Sequence, residues 1–255
     1  MPIEILYGIH PVLEALRAGR RKIHTVFLTK AHRTGRLAEI EALTRKKKIA
    51  FEPADGSRIA EMCGSPQHQG VAARVDAYPF ASLDAILAAD PASPDAPLLL
   101  LLDSLVDPHN LGALLRTAFC AGVDGVVVPK HNSAPPSPTV SKISAGALEH
   151  VALARVTNLV DTIARLKKSG FWVHGLDGSA KATVFESDLT GPLALVVGGE
   201  AKGLRPLIKK KCDLLVSIPQ TTRLNSLNAS VAGAVVLYEA LRQRTKTLKP
   251  AGGAS

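Results

Sequence analysis

Three short stretches hold residue types that chemistry can use. The first, DSLVDPHNLGALLRTA (103–118), places Asn110 and Arg116 in a run otherwise built from Leu, Ala, Gly and Thr after Asn110. The second, LALVVGGEAKGLRP (193–206), puts Glu200 directly after Gly198 and Gly199. The third, SIPQTTRLNSLNASVA (217–232), gathers Asn225, Ser226 and Asn228 ahead of an apolar run. A guanidinium is a planar, permanently charged fork that fits phosphate or carboxylate oxygens. A glycine pair admits a ligand close to the backbone. Side-chain amides and hydroxyls beyond what one helix cap needs supply spare donors and acceptors. The competing reading for Arg116 is an ion pair with Asp103 or Asp107; for Glu200, a favourable charge at a helix start; for Asn110 and the Asn-Ser-Leu-Asn cluster, simple caps.

Each stretch follows a short apolar run of the kind that forms a strand buried on both faces of a parallel sheet. These runs are LLLLLDS, LALVVGG and LLVSIP, with DGVVVP and FWVHGL of the same type. Helical patterns are expected at 110–122, 139–149, 158–168, 203–210 and 226–244. Such alternation indicates an α/β domain with a parallel sheet and right-handed crossovers. Ligands in such sheets bind beyond the carboxyl ends of the strands, where the three stretches lie. In the 110–122 helix, Leu111, Leu114, Leu115 and Ala118 form the apolar stripe. Arg116 falls on a second face among small residues.

The N-terminal 75 or so residues read as a smaller α/β unit: a helix ending at Gly19, a strand HTVFLT, a helix from Gly35 to about Lys48, strand IAFEP, a short helix near 56–63 and strand GVAARV. Between the two units, residues 77–97 hold three Asp and no Lys or Arg, within an Ala/Pro-rich composition. The expected division is therefore 1–76, a linker at 77–97 with a turn or two of helix, 98–247, and a disordered tail at 248–255.

The 255 residues carry a net charge of +9, which favours a polyanionic partner, nucleic acid first. RAGRRK (17–22) and TRKKK (44–48) are the expected phosphate contacts. Three dispersed cysteines give neither a disulfide framework nor a metal cluster, so no metal is expected and a reducing, cytoplasmic setting is. Neither a secretory leader nor a membrane span is expected. Phosphate loop, dinucleotide fingerprint and nucleophile elbow are all missing from the sequence.

In order and spacing, DPHNLGALLRTAFCAGVDGVVVP, LVVGGEAKGL and IPQTTRLNSLNASVA resemble the three motifs of the SpoU (TrmH-type) RNA 2'-O-ribose methyltransferases of the SPOUT superfamily. YGIHPVLEALRAG and GVAARV are similar to that family's N-terminal RNA-binding domain. The nearest subgroup is the 23S ribosomal RNA guanosine 2'-O-methyltransferases. The resemblance implies a deep trefoil knot in the C-terminal α/β domain, S-adenosylmethionine as cofactor, a structured RNA substrate and a homodimer. By motif matching it makes Arg116 catalytic, with Asn110 and Glu200 beside it. Gly199, Ile218 and Leu227 would contact the cofactor, with Leu176, Gly178, Ser226 and Asn228 around it. Gln220, Asn225, Ala229 and the APPSP at 134–138 depart from the family's usual residues. Transfer RNA, or ribosomal RNA modified for antibiotic resistance, is the alternative substrate. A non-catalytic RNA-binding protein is the alternative outside the class.

Overall fold

A computed structural model describes residues 2–29, 35–88, 96–200, 203–221 and 227–247. The chain forms two compact units. One comprises residues 1–79 together with 135–151, the other 80–134 together with 152–255.

In the first unit, β1 (Ile3–Tyr7), α1 (Ile9–Ala18), β2 (Ile23–Thr29), α2 (Arg36–Lys46), β3 (Ala50–Ala54), α3 (Gly56–Cys63) and β4 (Val71–Asp76) follow in order. The sheet order is β1-β4-β2-β3, with only β2 and β3 parallel. Its core is Leu6, Val12, Leu16, Val26, Leu28, Ile40 and Val71. Gly19 ends α1 with φ 63°, a left-handed cap that glycine adopts without strain. Strand β1 was not foreseen; its five residues are too few to show a period.

The second unit holds α4 (Leu83–Leu87), β5 (Leu98–Asp103), α5 (Pro108–Cys120) and β6 (Gly125–Pro129). The chain then enters the first unit as α6 (Pro138–Ile143) and a 3-10 turn at Ala147–Glu149. It returns as β7 (Leu153–Val156), α7 (Leu159–Lys168), β8 (Trp172–Leu176), β9 (Ala182–Thr183), β10 (Leu193–Gly198), α8 (Pro206–Lys211), β11 (Leu214–Ser217) and α9 (Ala229–Thr247). All seven strands are parallel, in the order β7-β6-β5-β10-β8-β11-β9. The expected α/β parallel sheet is present. Every residue of the leucine run in β5 is buried, between β6 and β10. Helix α9 lies close on α5: a Cβ on Gly233 would fall 2.3 Å from Leu114 Cδ2.

Two expectations need correction. The helix read at 139–149 breaks at Ser144, because Ala145 and Gly146 both take positive φ. The stretch read as a linker is partly built in. Tyr78 is buried in the first unit, while Ala81 bridges Ala154 and Ile86 packs into the second unit's core. The expected disorder of 248–255 lies outside the described residues.

The segment 135–151 enters the first unit with charge as well as apolar contact. The Arg21 guanidinium is buried and donates to Glu149 at 2.7 and 3.0 Å, and to Glu4 at 2.7 Å. Glu149 also accepts from Ser141 Oγ at 2.8 Å. Both side chains of the Arg21–Glu149 pair are 1% exposed. Removing one partner strands a charge away from water, which costs about 3–5 kcal/mol. Glu149→Ala should therefore lower unfolding free energy by that order in urea titrations. Residues 1–79 made alone should lack a cooperative transition.

His174 on β8 is 5% exposed, and its Nδ1 has no hydrogen-bond partner among the described residues. Burial, the largest influence, pushes the imidazole below its ordinary value of 6.5. Below that pH the unfolded chain takes up a proton that the folded chain refuses. Stability should fall as pH drops through this window, by at most about 1.4 kcal/mol per pH unit per proton. Urea midpoints of wild type and His174→Leu between pH 5 and 8 check it: the variant should lose that slope.

Candidate active site

The carboxyl ends of β10, β8 and β11 bring the second and third stretches around one cavity of about 240 Å3. Its apolar wall is Leu176, Val197, Leu204, Val216, Ile218 and Leu227. Its charged groups are Asp177, Glu200 and Lys209.

Asp103, the last residue of β5, organises the loops. It is fully buried. Its carboxylate accepts from Arg205 N at 2.9 Å and Arg205 Nε at 2.7 Å, and its carbonyl accepts from Gly199 N at 2.8 Å. The turn after β10 is thereby pressed onto the end of β5. A Cβ on Gly199 would lie 2.3 Å from the Ser104 carbonyl oxygen, and one on Gly198 2.2 Å from the backbone of Gly203. Both positions require glycine because backbone, which cannot rotate away, fills the space.

Helix α5 starts with Asp107, whose side chain accepts from His109 N at 2.9 Å, and with Pro108 in its first turn. Asn110 is thus not the cap that its sequence position offered. It lies inside the helix, where its Nδ2 donates to Asp107 Oδ2 at 3.2 Å and to Glu200 Oε1. This amide links the first stretch to the second. Glu200 does not begin a helix; α8 starts six residues later, at Pro206.

Leu111, Leu114, Leu115 and Ala118 are buried, as the stripe required. Arg116 is exposed and has neither an ion pair nor a hydrogen bond among the described residues. Asp103, its expected structural partner, is taken by Arg205 instead. Asp107 is engaged in the helix cap and Asn110. Arg116 does not line the cavity. Beside it on α5, Phe119 is 48% exposed and Cys120 is exposed.

Leu176, Gly178, Gly199, Glu200, Ile218 and Leu227 line the cavity together. Asn228 does not; its Oδ1 caps α9, accepting from Ser230 N at 2.9 Å and Ser230 Oγ at 2.6 Å. Ser226 and Asn225 lie outside the described residues. Gln220, noted as a departure, is on the wall. Asp177 and Lys209 were missed. The signal was there for Asp177, which follows strand β8 directly, but nothing in the sequence pairs it with a lysine 32 positions on. Among the described residues no cluster of His, Cys, Asp and Glu could hold a metal ion.

The two basic clusters differ. In RAGRRK, Arg21 is buried, Arg20 bonds Tyr78 and Val151, and Arg17 bridges Glu14 and Glu39. Its arginines serve the fold, and only Lys22 is exposed without such a role. In TRKKK, Thr44 is buried but Lys46, Lys47 and Lys48 are all exposed.

Residues 97–238 match the SpoU rRNA methylase family, and residues 5–81 match the RNA 2'-O ribose methyltransferase substrate-binding domain. The 23S rRNA (guanosine-2'-O-)-methyltransferase RlmB of Escherichia coli is 40% identical over 245 residues, 95% of this chain and 99% of that one. A putative TrmH family tRNA/rRNA methyltransferase of Staphylococcus saprophyticus is 40% identical over 240 residues, 94% of this chain and 96% of its own. Among solved structures, the SpoU methyltransferase AviRb from Streptomyces viridochromogenes, in complex with the cofactor AdoMet, superposes with a TM-score of 0.79. It is 27% identical, covering 94% of this chain and 90% of that one.

Proposed function

The chain belongs to the SpoU rRNA methylase family, and from that premise we propose that it methylates the ribose 2'-hydroxyl of a guanosine in 23S ribosomal RNA, with Arg116 at the reacting oxygen. The observation that carries the role of Arg116 is its guanidinium, which has no partner among the described residues while Asp103 and Asp107, the carboxylates the sequence offered it, are engaged elsewhere. An unpaired arginine on a helix of small and apolar residues has no structural task there.

The cavity suits S-adenosylmethionine. Leu176, Val197, Leu204 and Val216 give an apolar slot for a purine, next to the tight Gly198–Gly199 turn. Gly178, Gly199, Ile218 and Leu227 would hold it, with Leu176 against the base. Ser226 completes the set implied by the motif, while the capping role of Asn228 places its contribution in the shape of the α9 entrance. When bound, the cofactor supplies an electrophilic methyl carbon.

A ribose hydroxyl is a weak nucleophile until its proton leaves. Arg116 lowers the cost of the developing alkoxide by placing a fixed cation next to it. Its second edge can hold the adjacent phosphate, and a phosphate oxygen or water takes the proton. Arginine itself stays protonated, since its pKa exceeds about 12. Asn110 fixes Glu200 at the cavity edge, so that the first stretch and the cofactor cavity keep one spacing.

Arg116 is exposed on a face that also presents Phe119 and Cys120, and Val231 and Tyr238 on α9 are exposed as well. We assign this apolar surface to the homodimer contact, which brings Arg116 and a cavity together. The trefoil knot that the family motifs imply belongs to the same proposal. The protein works in the cytoplasm, where its RNA is; no helix among the described residues is long and apolar enough to cross a membrane. Lys46, Lys47 and Lys48 contact RNA phosphates.

The test is transfer of labelled methyl to unmodified 23S RNA, followed by identification of the nucleoside. Ribose-methylated guanosine at one position is expected; transfer to unmodified transfer RNA alone would replace the substrate. Arg116→Ala should cut turnover by about 100-fold or more and leave RNA affinity within a few-fold; full activity would remove Arg116 from the chemistry. Charge reversal at Lys46, Lys47 and Lys48 should weaken RNA binding uniformly across sequences. It should also reduce the slope of log affinity against log salt by about one for each phosphate no longer neutralised.

A further inference from the structure

The Asp177–Lys209 pair is the strongest feature of the cavity that no motif accounts for. Asp177 is held on every side. Its side chain is 8% exposed. Its Oδ1 accepts from Ser179 N at 2.9 Å and Ser179 Oγ at 2.7 Å, and its Oδ2 takes the Lys209 ammonium. These donors hold the carboxyl below the usual carboxylate range despite burial. Both oxygens of Asp177 are therefore engaged. Lys209 is not filled as a donor. An ammonium carries three N–H groups, Asp177 takes one, and no other acceptor engages it among the described residues. Its side chain is 35% exposed and lines the cavity.

The wall charges are also divided. The free N–H groups of Lys209 lie where β8 and α8 meet. The other charge on the wall is the Glu200 carboxylate, on the turn after β10, whose one partner among the described residues is the neutral Asn110. A cavity with a cationic donor at one place, an anion at another and an apolar slot matches a ligand carrying both signs. An ammonium with spare donors is best satisfied by a carboxylate, through charge-assisted hydrogen bonds. Anchorage on buried Asp177 removes much of the rotamer freedom that a lysine otherwise loses on binding.

We propose that Lys209 binds the α-carboxylate at the amino-acid end of the cofactor. This rests on the reading of the cavity as the S-adenosylmethionine site and adds the residue that recognises one end of it. Asp177 is its positioning residue, acting through Lys209.

The experiment is calorimetric titration of the full chain with S-adenosylhomocysteine and with 5'-methylthioadenosine. The second shares base, ribose and sulfur but has no carboxylate. Lys209→Met should weaken S-adenosylhomocysteine about 10- to 100-fold, the range for removing a charged hydrogen bond. It should leave methylthioadenosine within about twofold of wild type. Lys209→Arg should recover most of the loss. A clamp that only joined β8 to α8 would weaken both ligands alike; that result, or no change for either, overturns the proposal. Should Lys209→Met fail to fold, Lys209→Gln keeps a donor without the charge, and the same ligand contrast decides. Failure of the wild type to bind either ligand would instead overturn the reading of the cavity, and the proposal with it.

Discussion

The buried carboxylate of Asp103 is the constraint on which the site depends. A charge at the end of a central strand is tolerable only with partners around it. Arg205 provides two N–H groups, one from the backbone and one from the guanidinium. The carbonyl of Asp103 fixes Gly199. The turn carrying Glu200 is thus tied at both ends to the strand that leads into α5. The reach from Asn110 to Glu200 follows from this tie, as does the cavity floor of Gly198 and Gly199. Arg205 cannot also be a free cation, and Asp103 cannot also hold Arg116. One ion pair thus bears on the roles of Asn110, Glu200 and Arg116.

The parallel sheet was readable because burial on both faces leaves a loud pattern. Five leucines in a row leave few alternatives. Strands β7 and β9 carried no such pattern: β7 mixes polar and apolar residues over four positions as an edge strand, and β9 is two residues long. The site was legible in its residue types more than in their partners. Arg116 could be identified as unusual, but its freedom could not, since that depends on Arg205, 102 positions from Asp103. The sequence offers Asn110 as the cap, three residues after the residue that does the capping. The structure chose Asp107, leaving Asn110 for Glu200. In the basic cluster at 17–22 the sequence shows charge but not burial, and Arg21 turned out to be interior because Glu149 arrives from far along the chain.

The arrangement separates two tasks. The cavity among the ends of β10, β8 and β11 has an apolar wall, glycines and a few charged groups, suited to holding a small molecule. The arginine stands outside it, exposed, on a helix face that also presents Phe119 and Cys120. In the proposed function, holding the methyl donor and activating the acceptor hydroxyl fall to different surfaces, joined by the short bridge from Asn110 to Glu200. A nucleotide within a large RNA can approach such an arrangement, whereas a closed pocket would admit only a free small molecule.

The discontinuous first unit has a consequence during synthesis. Residues 1–79 emerge from the ribosome complete in sequence but without the partner of Arg21. Glu149 follows roughly 70 residues later, a delay of about 4–14 s at translation rates of about 5–20 residues per second. Through that interval the N-terminal sheet must wait with an arginine that has Glu4 but not Glu149. The half of the protein made first is completed by a segment of the half made second, so the order of folding cannot simply follow the order of translation.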